Sequence, residues 1–139
     1  MAATAGYSGK PLVTKLGIKP GHRLHVAGAP AGFVLSDLPD EVQLLGGSAG
    51  SLDAILLFVK DQKSFRAAFP RQTGRLQEDG MLWVVWPKRT SKIPTDLTED
   101  RIRDIVLPAG YVDVKVCAVD ETWSGLKIVK RVENRRKDT

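Results

Sequence analysis

Apolar residues along the chain fall into short clusters divided by Gly, Pro and charged positions, and the spacing inside each cluster predicts its element. Leu12, Val13 and Leu16 share one face of a short helix, opened by Pro11 and stopped by Gly17. A strand is expected from Arg23 to Ala27, broken by Gly28-Ala29-Pro30-Ala31-Gly32. Phe33 to Leu38 predicts a turn or two of helix before Pro39, and Val42 to Leu45 a second short strand. The runs Asp53 to Val59 and Met81 to Trp86, continuously apolar after Asp53, have the look of strands covered on both faces. Between them Phe65, Ala68, Phe69 and Leu76 recur at helical spacing, with Pro70 and Gly74 predicting a kinked or broken helix and Asp79-Gly80 a turn. After a long loop from Pro87 to Leu97, Thr98 caps a helix whose first turn carries Glu99 and Asp100 and whose buried face is Ile102, Ile105 and Val106. Tyr111 to Val119 and Leu126 to Val132 are the last strands, and their short joint predicts a hairpin.

Strands alternating with helices predict one three-layer α/β domain over residues 11–132, its sheet mostly parallel with about six strands and an antiparallel C-terminal hairpin. Residues 1–10 are expected to be a flexible lead and residues 133–139 a basic disordered tail. The 139 residues are 42% hydrophobic, enough for one core and too apolar for a disordered chain. No run is long enough to span a membrane, Met1 to Tyr7 lacks the look of a secretory signal, and the single cysteine forms no intrachain disulfide; a reducing cytoplasm is the expected location. The net charge of +5 is unevenly placed. Residues 1–126 hold 15 basic and 14 acidic side chains, and residues 127–139 hold six and two.

Ligands of open α/β sheets bind beyond the carboxyl ends of the parallel strands. Here that rule collects Gly28, Ala29 and Gly32, then Lys60 and Asp61, then Lys88 and Arg89, and finally Asp120 and Trp123. Gly-rich backbone, three cations, carboxylates and an indole suit a small, partly anionic or nucleotide-like ligand. No nucleophile or metal motif joins them: Gly28 to Gly32 lacks dinucleotide-loop spacing, and His22 and His25 have no partners at zinc-ligand spacing. Cys117 is expected to be an inert, half-buried thiol, and Trp83 and Trp86 to point to opposite faces of one strand. Trp123 is expected either to stack on a ligand or partner or to fold back onto its own sheet.

The stretch Lys15 to Gly28, the run Leu76 to Trp86 and the joint Pro108-Ala109-Gly110-Tyr111-Val112-Asp113-Val114 together resemble Rossmann-like methyltransferases that use S-adenosylmethionine. That resemblance implies a shortened Rossmann-like fold. It also implies an acid before a Gly-x-Gly-x-Gly loop and a second acid holding the ribose. Val26 and Ala27 stand at the first of those places, Pro30 replaces the middle glycine, and Leu45-Gly46-Gly47 stands at the second. A S-adenosylmethionine pocket of the usual kind is therefore not expected. Gly6 to Leu12, Trp86-Pro87-Lys88, Thr95 to Asp100 and Val114 to Lys127 resemble, over nearly the whole chain, a small bacterial family catalogued as a domain of unknown function. That likeness draws attention to Lys88, Asp120, Trp123 and Tyr7-Ser8-Gly9.

The expected function is a non-catalytic small-molecule-binding module on a degenerate methyltransferase-like scaffold. The alternatives are a protein-interaction or structural module, with Trp123 and the N-terminal segment as contacts, and an unusual transferase using Asp61 or Asp120. Nucleic acid is expected at most nonspecifically, through Lys127, Lys130, Arg131, Arg135, Arg136 and Lys137.

Overall fold

The computed structural model describes residues 11–136. Helix α1 (Leu12–Leu16) is followed by β1 (Arg23–Ala27), β2 (Gln43–Leu44), β3 (Leu52–Phe58), α2 (Gln62–Thr73), β4 (Leu76–Pro87), α3 (Glu99–Val106), β5 (Tyr111–Ala118) and β6 (Trp123–Lys130). The six strands form one sheet in the order β2-β1-β3-β4-β6-β5. β2, β1, β3 and β4 run parallel, and β6 pairs antiparallel with both β4 and β5. The mixed α/β sheet and its C-terminal hairpin are those expected from the pattern. Among the described residues no helix is long and apolar enough to cross a membrane.

The runs in β3 and β4 are continuous because both faces of the sheet are covered there. On one face α2 and α3 pack Phe65, Phe69, Ile102 and Val106 against Ile55, Leu57, Leu82, Val84 and Trp86. On the other, α1 contributes Val13 and Leu16 over Leu24, Leu56, Met81, Trp83 and Val85. Trp83 and Trp86 thus lie on opposite faces, as i and i+3 on a strand must. The rest of that second cover is irregular chain. Phe33, Leu35, Leu38 and Val42 lie against the sheet with no helix at Phe33 to Leu38. Asp37 there has a left-handed φ of 61°, which interrupts any helical turn, and the near-alternate apolar positions suit a chain laid flat.

Three other expectations need correcting. Residues 62–73 form a single helix despite Pro70. Pro70 and Arg66 are both exposed, so the carbonyl left without its i+4 partner faces water. Asp79-Gly80 is not a turn between elements but part of β4. Leu52 pairs with Leu76 and Ala54 with Met81, so residues 77–80 bulge out of an otherwise continuous ladder. A Cβ on Gly80 would lie 2.9 Å from the Leu52 carbonyl oxygen, so the bulge needs glycine. Finally, residues 134–136, expected to belong to a disordered tail, are bonded to the body of the fold. Asn134 Nδ2 donates to the Gly110 carbonyl at 3.1 Å, Arg135 Nε to the Lys130 carbonyl at 3.1 Å, and the Arg136 amide to Glu78 Oε1 at 2.7 Å. Residues 1–10, with Tyr7-Ser8-Gly9, and residues 137–139 lie outside the described residues.

The seven residues 45–51 connect two parallel strands without a crossover helix because β2 is two residues long and pairs only with the start of β1. Arginines hold that connection. Arg75 donates to the Ala49 carbonyl at 2.8 Å and the Gly46 carbonyl at 2.6 Å, and Arg23 to the Gly50 carbonyl at 3.0 Å.

Candidate ligand-binding site

The parallel strands β1, β3 and β4 end on the side where the β5–β6 hairpin turns, because Phe58 pairs with Val85 and Pro87 with Trp123. The loops expected to converge therefore do so, but around two shallow depressions. The first, about 240 Å³, is lined by Gly28, Phe58, Val59, Lys60, Asp61, Ser64 and Trp123. The second, about 370 Å³, lies between Trp86, Lys88, Arg89 and the residues running from Thr95 into the first turn of α3. Ala29 and Gly32 share the Gly28 loop but line neither depression.

Close packing explains Gly28. Its φ is +72°, and a Cβ there would stand 2.8 Å from the Phe58 carbonyl oxygen. This glycine lets β1 leave the sheet hard against the end of β3. Trp123 is only 5% exposed. Its ring meets Phe58 edge-on, centroids 5.2 Å apart, so it folds back onto its own sheet and presents only a margin to the first depression.

Each carboxylate of the expected site is engaged by backbone amides through its Oδ1. Asp61 is the N-cap of α2: its Oδ1 accepts from the Ser64 amide at 2.7 Å. That amide, then the Ser64 hydroxyl and Lys63, hold its carboxyl below the ordinary aspartate value. Asp120 Oδ1 accepts from the amides of Thr122 and Trp123, both at 2.8 Å, and so shapes the hairpin turn. A third carboxylate, Asp96, accepts from the Gln62 amide at 2.8 Å. The first turn of α2 is thus answered by two acids from its own chain. Lys60 differs. It is exposed at the rim of the first depression, and no carboxylate among the described residues pairs with it.

Phe58, Val59 and Ser64 belong to the first depression but were not singled out in the sequence. Phe58 and Val59 end an apolar run that already had a core explanation. Thr95, Asp96, Thr98 and Glu99 line the second, where the sequence showed only a helix start. Their signal was the spacing between Lys88-Arg89 and that helix start.

Among the described residues no three His, Cys, Asp or Glu side chains gather closely enough to hold a metal ion. His25 Nδ1 lies 2.7 Å from the Leu45 carbonyl oxygen, and burial pushes the Cys117 thiol above its ordinary value. No carboxylate stands at the end of β2, where the His25 ring and Arg75 occupy the carbonyls of Leu45 and Gly46. Pro30, in the loop after β1, offers no N–H to a cofactor. The residues present do not fit S-adenosylmethionine held by an acid at each of those two places.

No family model matches the chain, and no curated protein matches it. Solved structures do match in fold. A S-adenosylmethionine-dependent methyltransferase from Aquifex aeolicus superposes with a TM-score of 0.60 at 15% identity, over 84% of this chain and 86% of that one. Magnesium protoporphyrin IX methyltransferase from Synechocystis PCC 6803, solved with bound S-adenosylmethionine, gives 0.58 at 12% identity, over 86% and 74%. Ribosomal protein L11 methylase from Lactobacillus delbrueckii subsp. bulgaricus gives 0.55 at 14% identity, over 86% and 74%. At these identities the likeness concerns fold: the chain has the Rossmann-like α/β fold of the methyltransferases.

Proposed function

We propose that this chain is a small-molecule-binding module on a methyltransferase-like scaffold. Its ligand carries an anionic group over Lys60 and an apolar or ring portion against Phe58 and the margin of Trp123. The observation that carries the reading is an exposed ammonium, with no carboxylate partner among the described residues, beside an aromatic-walled depression at the carboxyl edge of the sheet. A binding role without catalysis is favoured because Asp61 and Asp120, the carboxylates best placed for acid–base work, are both engaged by backbone amides. Kinship with the small bacterial family of unknown function, and a reducing cytoplasm, are part of the same proposal. A thermal-shift screen against nucleotides, S-adenosyl compounds and organic phosphates tests it. At least one class is expected to raise the melting temperature, with affinity falling about tenfold in Lys60→Ala. A flat response across all three classes would sink the reading.

A second reading, protein contact, draws on β5. This edge strand leaves Val114 52% and Val116 47% exposed. The contact surface would be that edge and not the buried Trp123. If so, Val116→Lys should abolish an association that Lys60→Ala leaves intact.

A further inference from the structure

Away from the carboxyl edge, three lysines are brought together on the sheet face that α1 partly covers. Lys115 of β5 and Lys127 of β6 are direct register partners, and Lys127 is also opposite Trp83 of β4. The Trp83 indole donates to the Leu16 carbonyl at 2.9 Å, which fixes the end of α1, and the turn carrying Lys19, over the same face. Like charges directly opposite on neighbouring strands repel. Burial, then Lys115 and Lys19, push the Lys127 ammonium below its ordinary value. Cys117, two residues along on this face, feels Lys15, Lys115 and Lys88. Among the described residues no carboxylate pairs with Lys19, Lys115 or Lys127. The fold therefore places Lys19, Lys115 and Lys127 on one face with no ion-pair partner for them among the described residues.

We propose that Lys19, Lys115 and Lys127 form a site for a compact, multivalent phosphate anion. A compact anion fits better than nucleic acid for two reasons. Lys115 and Lys127 are held as one cross-strand pair, with the turn carrying Lys19 fixed over the same face. Moreover, Trp83, the aromatic beneath them, is fully buried and offers no face for base stacking. An anion here would neutralise three charges at once and bind more weakly as salt rises.

Calorimetric titration of the full chain with tripolyphosphate at low ionic strength tests the site. Binding is expected, with affinity falling about tenfold in Lys127→Gln and in the exposed Lys115→Gln. Without anion, Lys127→Gln should melt at a higher temperature than the unsubstituted chain, since it removes a repulsive pair. Loss of binding then cannot be loss of fold. Arg66→Gln, an exposed charge on α2 across the sheet, should bind as before. Unchanged affinity in both lysine variants would overturn the proposal, as would equal loss in Arg66→Gln. So would binding of a single-stranded oligonucleotide through these lysines with no response to tripolyphosphate.

Discussion

Gly28 sits where a side chain would strike the backbone of the next strand, and its left-handed φ adds a second objection to any other residue. Gly28→Ala should cost about 2–3 kcal/mol, read as a lowered denaturation midpoint at unchanged m-value. Such a result would place this glycine in the scaffold, with its effect on any ligand arriving through stability. Arg103 and Asp113 make a different kind of residue-scale statement. Arg103 Nε donates to Asp113 Oδ2 at 2.9 Å, and the same guanidinium reaches Glu99 at 2.9 Å and Asp100 at 3.0 Å. This guanidinium holds the Asp113 carboxyl below its ordinary value, against an opposing contribution from burial. A carboxyl depressed in the folded state stabilises above its unfolded value, about pH 4, and that contribution fades as pH falls through the lower folded value. Asp113→Asn should therefore melt below the unsubstituted chain at pH 7, and the two melting curves should converge in strong acid. The positions of Asp61 and Asp120 at the strand ends were legible in the sequence; their roles were not. An aspartate that caps a helix or closes a hairpin has the same sequence appearance as one aimed at a ligand.

At the scale of elements, periodicity located nearly every strand and both longer helices, because apolar runs and a capped amphipathic face are local signals. Where it failed, the deciding contact was distant or solvent had removed the penalty. The helix expected at Phe33 to Leu38 yields to an irregular strip because the sheet face beneath needs covering by Phe33, Leu35 and Leu38, whatever their local propensity. Pro70 is tolerated because the turn it disturbs faces water. Pro70→Ala would restore an N–H for the Arg66 carbonyl and should stabilise α2 by about 1 kcal/mol, seen as a melting temperature several degrees higher. The bulge in β4 replaces the expected turn for a related reason. Asp-Gly is a turn signal, and only the pairing of its flanks, Leu76 with Leu52 and Met81 with Ala54, keeps it within the strand.

Over the whole molecule, charge is better described by its placement than by its sum. The positive excess of residues 127–139 is partly taken up by Glu78, which meets Lys130 at 3.2 Å and the Arg136 amide at 2.7 Å. Its carboxyl is held below the ordinary value chiefly by that amide and then by Lys130. Glu78→Gln should raise amide exchange across residues 131–136 while leaving α3 unchanged, measured by hydrogen–deuterium exchange. The two covers of the sheet also differ in kind. One is two helices whose backbone groups are mostly satisfied within themselves. The other, over residues 29–42, has sparse backbone bonds of its own, among them Phe33 to Pro30 at 3.1 Å and Val42 to Pro39 at 3.4 Å. In terms of motion, the molecule should have a fast side and a slow side. Brief openings of the irregular strip should uncover Phe58 and the aromatic ring packed against it, Trp123. A small quencher should then reach part of the indole fluorescence under fully native conditions, and the part it reaches should shrink in Trp123→Phe.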